Sequence, residues 1–340
     1  MANNIAIIGG TGGLGATMGF YLGLTGYFDR VSLIASRLNI LETHLIDFKE
    51  CFGEETRTAI NGGGYEKLEG AELVIIAAAK IGGQVSSRDE YLKANLGLIK
   101  DIAREIRDRA PKATVISCTS PVDAFVMVLL RESGFDRHQL LGFCRNDSQR
   151  FRYMVAKVMG LSQPFLDGIV LGEHGETQVP LFSSLAYEGK QLSVSPGQKE
   201  QILALLKGWY RHWQAQNSRR TTTWTSATSI LRTILALGLA PKDPGHLIRL
   251  ATSCPENEST LTHDSHFRSK FASIRAEELA LGSVFLEGEY GISDVALGMP
   301  ITKGNLGWGK VIELELWPGE LAGLRKSAEK VKALYDCAIG

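Results

Sequence analysis

The opening of the chain leaves little choice of fold. "NIAIIG" (4–9) is short, β-branched and closed by glycine, the pattern of a buried strand. "GATMGFYLGLTG" (15–26) reads as a helix that stops at Gly26. Between them Gly10, Gly12 and Gly15 fit GxGxxG. In such a turn one glycine makes the bend, one lets backbone N–H groups approach a pyrophosphate, and one lets the helix pack on the strand. The helix N-terminus then favours the negative charge of the phosphates. The flanking strand and helix turn a common glycine pattern into a dinucleotide-binding signature. Gly10, Thr11, Gly12, Gly13, Leu14 and Gly15 are therefore the candidate phosphate loop.

Alternation continues behind it. Strands are predicted at "RVSLIA", "AELVIIAAA", "ATVISC" and "QLLGFC", which makes five with the first. Helices are predicted at "NILETHLIDFKECF", "RDEYLKANLGLIKDIAREIRDRA" and "PVDAFVMVLLRESG". Such alternation specifies a parallel, doubly wound sheet, a Rossmann arrangement, over residues 1–145. Beyond it the order is mixed: a helix at "DSQRFRYMVAKVMG", strands around "FLDGIVL" and "PLFSSLAYEGKQL", two helices to about residue 238, an irregular stretch over 241–282, a β-meander and a last helix. Residues 146–340 are read as an α+β substrate domain, so the fold class is α/β with two domains.

Composition narrows the function classes. The 37 basic and 37 acidic residues balance, so no nucleic-acid footprint is expected. Five cysteines at wide spacing, with no CxxC, argue against a disulfide framework or structural zinc and fit a reducing cytoplasm. No signal peptide or membrane span is read from the sequence. An NAD site usually places an acid after the second strand, for the ribose 2′-hydroxyl. Here the place falls at Ala35, followed by Ser36 and Arg37. A hydroxyl and a guanidinium suit a 2′-phosphate, so the cofactor is read as NADP, with NAD as the alternative.

The strand "FLDGIVL" ends in "GEHGETQVP", and "NDSQRFR" lies upstream. With "SSRDEYLKANLGLIKDI", "SPVD" and "YGISDVALGMPITKGNLGWGKVIELEL", in this order behind the glycine loop, the chain resembles the malate/lactate dehydrogenase family over nearly its whole length. The resemblance implies an NAD(P)-dependent L-2-hydroxy acid dehydrogenase, acting as a homodimer or homotetramer on a small 2-oxo acid. His174 matches the proton donor, and a histidine titrates in the right range for that role. Asp147 matches its carboxylate partner, and Arg150, three residues on, shares a helix face with it and presents a fork suited to a carboxylate. Arg88 matches the family's mobile-loop arginine, which would polarise the substrate carbonyl. Gly82 and Gly83 lend that loop freedom. Asn95 and Thr119 join the cofactor set, and Ser120 and Ser226 the substrate set.

Two positions depart from the family. Its malate enzymes carry a second arginine six residues before the loop arginine, where this chain has Gly82, with Lys80 nearby. The family's asparagine before proline is Ser120 here, a shorter group with fewer hydrogen bonds to give. Together they point to a wider pocket and a 2-oxo acid other than oxaloacetate. "THDSHFR", with His263, Asp264 and His266, is read as a polar loop, and no metal is expected. Two alternatives stand beside the dehydrogenase: a non-catalytic paralogue that binds only the dinucleotide, and an NAD-dependent glycosidase-like enzyme with a Cys/His metal site, to which "GFCRND" bears a faint likeness.

Overall fold

The computed structural model describes residues 3–53, 56–80, 88–216, 222–240 and 279–339, with the side chains of Arg88 and Gln214 excepted. Gly82, Gly83, the His263–Asp264–His266 group and the 241–278 part of the irregular stretch lie outside the described residues. The first half runs β1 (Asn4–Ile8), α1 (Gly13–Thr25), β2 (Arg30–Ile34), α2 (Leu38–Phe52), β3 (Ala59–Gly63), β4 (Leu73–Ile76), α3 (Arg88–Arg109), β5 (Thr114–Ser117), α4 (Val122–Ser133) and β6 (Leu140–Gly142). These six strands are parallel, in the spatial order β3-β2-β1-β4-β5-β6. The order reverses direction between β1 and β4, and a ligand crevice opens outside the strand ends at such a point.

One strand more is present than the sequence pattern predicts. β3 reads "AINGG", without the apolar run that marks a covered strand, because it is an edge strand paired only to β2. The central strands β4 and β5 are buried at every position, as helices on both faces require. Each fully buried Ile, Leu or Val there contributes about 1.5–3 kcal/mol of transfer free energy.

The second half runs α5 (Arg145–Met159), β7 (Leu166–Leu171), β8 (Val179–Tyr187), β9 (Lys190–Gln191), α6 (Pro196–Ala215), α7 (Thr223–Ala236), β10 (Ala280–Glu287), β11 (Ser293–Lys303), β12 (Trp308–Val311) and α8 (Pro318–Ile339). The expected meander is present as β10-β11-β12, with its first strand starting at Ala280 inside the stretch read as irregular. It extends the parallel sheet: β10 pairs antiparallel with β6 at Ser283↔Gly142, making nine strands among the described residues. Gly142 permits this junction, since a Cβ there would stand 2.3 Å from Val122 Cγ1 and 2.9 Å from Ser283 Cβ. β7, β8 and β9 form a separate antiparallel sheet. Among the described residues no helix is long and apolar enough to cross a membrane.

α1 meets its neighbours through glycine at every fourth residue. A Cβ on Gly15 would stand 2.2 Å from the Gly9 carbonyl oxygen, one on Gly19 3.0 Å from Leu33 Cδ2, and one on Gly23 2.4 Å from Phe52 Cε2. The helix therefore lies with its backbone against β1, β2 and α2, which fixes where its N-terminus points. Gly15→Ala is expected to lower stability by about 1–3 kcal/mol through overpacking. Gly97→Ala, at an exposed position of α3 where a Cβ meets nothing within 4 Å, is expected to raise it by roughly 0.5–1 kcal/mol. Urea denaturation of the two variants checks the contrast.

Candidate active site

The loops that leave the carboxyl ends of β1, β4, β5 and β6 border one crevice. After β1, the Ile34 carbonyl accepts from the Gly9 N–H at 2.8 Å and the Gly10 N–H at 3.0 Å, which ties the glycine turn to the end of β2. Gly9, with φ +93°, belongs to this turn although the GxGxxG pattern omits it; a Cβ there would stand 2.7 Å from the Ala78 nitrogen. A Cβ on Gly10 would stand 2.8 Å from Leu33 Cβ, whereas one on Gly12 meets only the Gly9 oxygen, at 3.3 Å. Gly12 caps α1, so an open backbone surface faces the helix N-terminus, and a pyrophosphate fits that cradle. Ser36 and Arg37 stand exposed just past β2.

Asn95 and Thr119, read from the sequence as cofactor residues, both bond to backbone groups. Asn95 is fully buried, and its Oδ1 accepts from the Lys80 N–H at 2.7 Å while its Nδ2 donates to the Tyr91 carbonyl at 2.9 Å. Thr119 donates its hydroxyl to the Ala78 carbonyl at 2.7 Å. Both side chains thus fasten the segment that follows β4 and shape the crevice wall. Ser120 is exposed at its rim, before Pro121. Ser226 is buried in α7, with its hydroxyl 3.1 Å from that of Thr222. α7 reaches the glycine loop at Thr223, 3.6 Å from the Cβ position of Gly13, and α5 through Ser229, which donates to Gln149 Oε1 at 2.5 Å.

Three of the four predicted catalytic residues come together, from two elements. Asp147 lies in the first turn of α5, where the helix dipole favours an anion. Its Oδ2 is 2.5 Å from His174 Nδ1, and its Oδ1 accepts from Arg150 Nη1 at 3.0 Å. A carboxylate can only accept here, so Nδ1 carries the hydrogen and Nε2 is the ring's other nitrogen, away from this bond. Burial pulls the Arg150 pKa down, and the Asp147 charge opposes that. Arg88 begins α3, as expected.

Three consecutive residues tie the histidine loop to its surroundings through their backbone. Gly172, with φ +86°, exchanges two backbone bonds with Gly298 of β11, at 3.0 and 2.8 Å. The Glu173 N–H donates to Ser327 Oγ at 2.6 Å, while the Glu173 carboxylate accepts from the Thr177 N–H and hydroxyl. The His174 N–H donates to Asp123 Oδ2 at 2.8 Å, and Ser283 Oγ donates to Asp123 Oδ1 at 2.6 Å. The acid beside the histidine thus shapes the turn, and the support comes from Asp123, which sequence reading missed. "SPVD" displays it, but its partner Ser283 lies 160 residues away. Cys144, the cysteine of "GFCRND", is buried, and burial drives its thiol well above the usual range, against a thiolate role.

Burial pushes the Asp123 carboxyl up to about 6, against the lowering effect of the Ser283 and His174 bonds. Between about pH 4 and 6 the folded chain therefore keeps a proton that the unfolded chain releases. This contribution to stability is full at low pH and lost as pH rises through 6, a change of roughly 3 kcal/mol. Asp123→Asn keeps an acceptor for the His174 N–H without the titration. Its stability relative to the wild type is expected to improve from pH 4 to pH 7 in urea melts; parallel pH profiles would exclude Asp123 as the source.

Comparison with known proteins agrees with this layout. Residues 3–142 match the sequence profile of the lactate/malate dehydrogenase NAD binding domain. A malate dehydrogenase of Halobacterium salinarum is 28% identical over 338 residues, 98% of either chain. A malate dehydrogenase of Bacillus israeli is 30% identical over 276 residues, 81% of this chain and 78% of that one. The lactate dehydrogenase of Cryptosporidium parvum, solved with lactic acid and β-nicotinamide adenine dinucleotide, superposes with a TM-score of 0.81 over 99% of this chain and 98% of its own; at 22% identity that likeness speaks for the fold alone. Sequence kinship along most of both chains, with a nucleotide-binding half of matching profile, makes this protein a member of the lactate/malate dehydrogenase family.

Proposed function

We propose that the chain interconverts a 2-oxo acid and its L-2-hydroxy acid with a nicotinamide cofactor, and that the acid is one other than malate. The observation that carries the chemistry is the single carboxylate of Asp147 bonded to both His174 and Arg150. The glycine loop, Gly10 to Gly15, would hold the pyrophosphate at the α1 N-terminus. When bound, the nicotinamide supplies the hydride that C2 of the oxo acid requires.

The chain's own residues do the rest. Arg150 receives the substrate carboxylate along a planar edge of its guanidinium. Charge gathers on the carbonyl oxygen as C2 becomes tetrahedral, and His174 delivers a proton to it from Nε2. The ring ends neutral, with Nδ1–H still bonded to Asp147. Asp147 fixes the tautomer of the ring through its Nδ1 bond, as in other carboxylate–histidine pairs. Arg88 would face the same oxygen. Asp123 and Ser327 keep the ring's backbone from shifting.

Two features support a substrate other than malate: Gly82 in place of the family's second arginine, and the short, exposed Ser120 in place of its asparagine. The relatives are named malate dehydrogenases, which makes malate the competing reading. Oxidation of NADH and NADPH across pyruvate, oxaloacetate, branched and aromatic 2-oxo acids decides between them. Turnover is expected on a bulky acid, and preferred turnover of oxaloacetate would reverse the reading. His174→Ala is expected to cut that turnover by a factor of about 10²–10⁴ with cofactor affinity intact. Silence of the wild type on every acid, with tight cofactor binding, would favour a binding-only paralogue.

NADP is the proposed cofactor. Ser36 and Arg37 are exposed next to the glycine turn, and among the described residues nothing engages the Arg37 guanidinium. Arg37→Ala is expected to weaken NADPH binding about tenfold and NADH binding little, since a hydrogen bond to a charged group contributes about 1.5–3 kcal/mol. Equal losses in fluorescence titrations would show that the residue does not read the 2′-phosphate.

A further inference from the structure

We propose that Trp209 is a positioning residue for the substrate carboxylate: its indole face holds the Arg150 guanidinium in the plane that receives the acid. This rests on the reading of Arg150 as the carboxylate receptor. The Arg150 guanidinium carbon lies 3.8 Å from the Trp209 ring centroid. Trp209 is itself stacked on Trp213, at 5.4 Å between centroids and 22° between planes.

The sequence of α6 builds this arrangement. Ile202, Leu206 and Trp209 recur at spacings of four and three, so they share one helix face, and Trp213 follows one turn on. Ile202 and Leu206 enter the apolar cluster formed with Phe151 and Val155 of α5. Trp209 sits at the margin of that cluster, half-buried, where the helix pair meets the Arg150 side chain.

The geometry separates the two contacts of the arginine. Asp147 takes a hydrogen bond from Nη1, in the guanidinium plane. The indole covers a face, where a guanidinium makes no hydrogen bonds but is attracted by the ring quadrupole. With one edge bonded and one face stacked, an incoming carboxylate is left an in-plane edge. Rotation about the terminal torsion, which would otherwise be frozen on binding, is already restricted. A simple packing role for Trp209 predicts none of this selectivity for the carboxylate.

The test uses three variants and the most active 2-oxo acid of the panel. Trp209→Met keeps apolar bulk without a ring, Trp209→Phe keeps a ring face, and Arg150→Gln removes the receptor. Trp209→Met is expected to raise KM about tenfold, with kcat within about twofold and the cofactor Kd unchanged. Trp209→Phe is expected to recover most of the loss. A wild-type KM in Trp209→Met, or equal loss in the Met and Phe variants, overturns the proposal. So does a joint fall of kcat, cofactor affinity and Tm. If Arg150→Gln leaves KM unchanged, the receptor reading itself is what fails. Should Trp209→Met not fold, oxamate titration in the presence of NADH decides: indole emission is expected to change in the wild type and much less in Trp209→Phe, and equal changes count against Trp209.

Discussion

Asp147 bonds through one oxygen to the His174 ring and through the other to the Arg150 guanidinium, and it is nearly closed to solvent. A buried carboxylate is costly unless its bonds are satisfied, and here two groups of potential positive charge satisfy it. His174 and Arg150, the proposed proton donor and anion receptor, are consequently held in one geometric unit. The acid reaches its place because α5 starts directly after β6, at the edge of the parallel sheet. The histidine reaches it because β7 ends where Gly172 meets Gly298. Two sheets must therefore be in register before either residue is useful.

That requirement explains why so much of the polar interior lies beneath one turn. Asp123 comes from α4, Ser283 from β10 and Ser327 from α8, and each holds the histidine loop or its support. β10 belongs to the meander, which is joined to β6 where Ser283 lies against Gly142. The substrate-side elements are therefore built onto the nucleotide-binding sheet itself. α7 repeats the principle on the other side, with Thr223 against the glycine loop and Ser229 against α5.

Local signals in the sequence carried much of this. The glycine turn is legible because strand, glycines and helix are adjacent. The Asp147–Arg150 pair is legible because helical spacing is local, and α3 begins at the arginine where its pattern begins. Asp123 and Trp209 were hidden for the opposite reason. Each reads as an ordinary member of a helix, and its significance depends on a partner brought near by tertiary folding. β3 escaped because an edge strand needs no apolar run. The side chains of Asn95 and Thr119 turn to backbone groups of the segment after β4, an orientation that no local sequence pattern displays.

The glycine seam of α1 limits how the nucleotide half can vary. With Gly15 against Gly9, Gly19 against Leu33 and Gly23 against Phe52, this helix has, at these three contacts, no side chains of its own to trade or resize. A lineage can lengthen or reshape most helices by compensating exchanges across an interface, but a backbone seam offers nothing to exchange. Change in the proposed cofactor selectivity is thereby left to the exposed residues after β2, which can be replaced without moving α1.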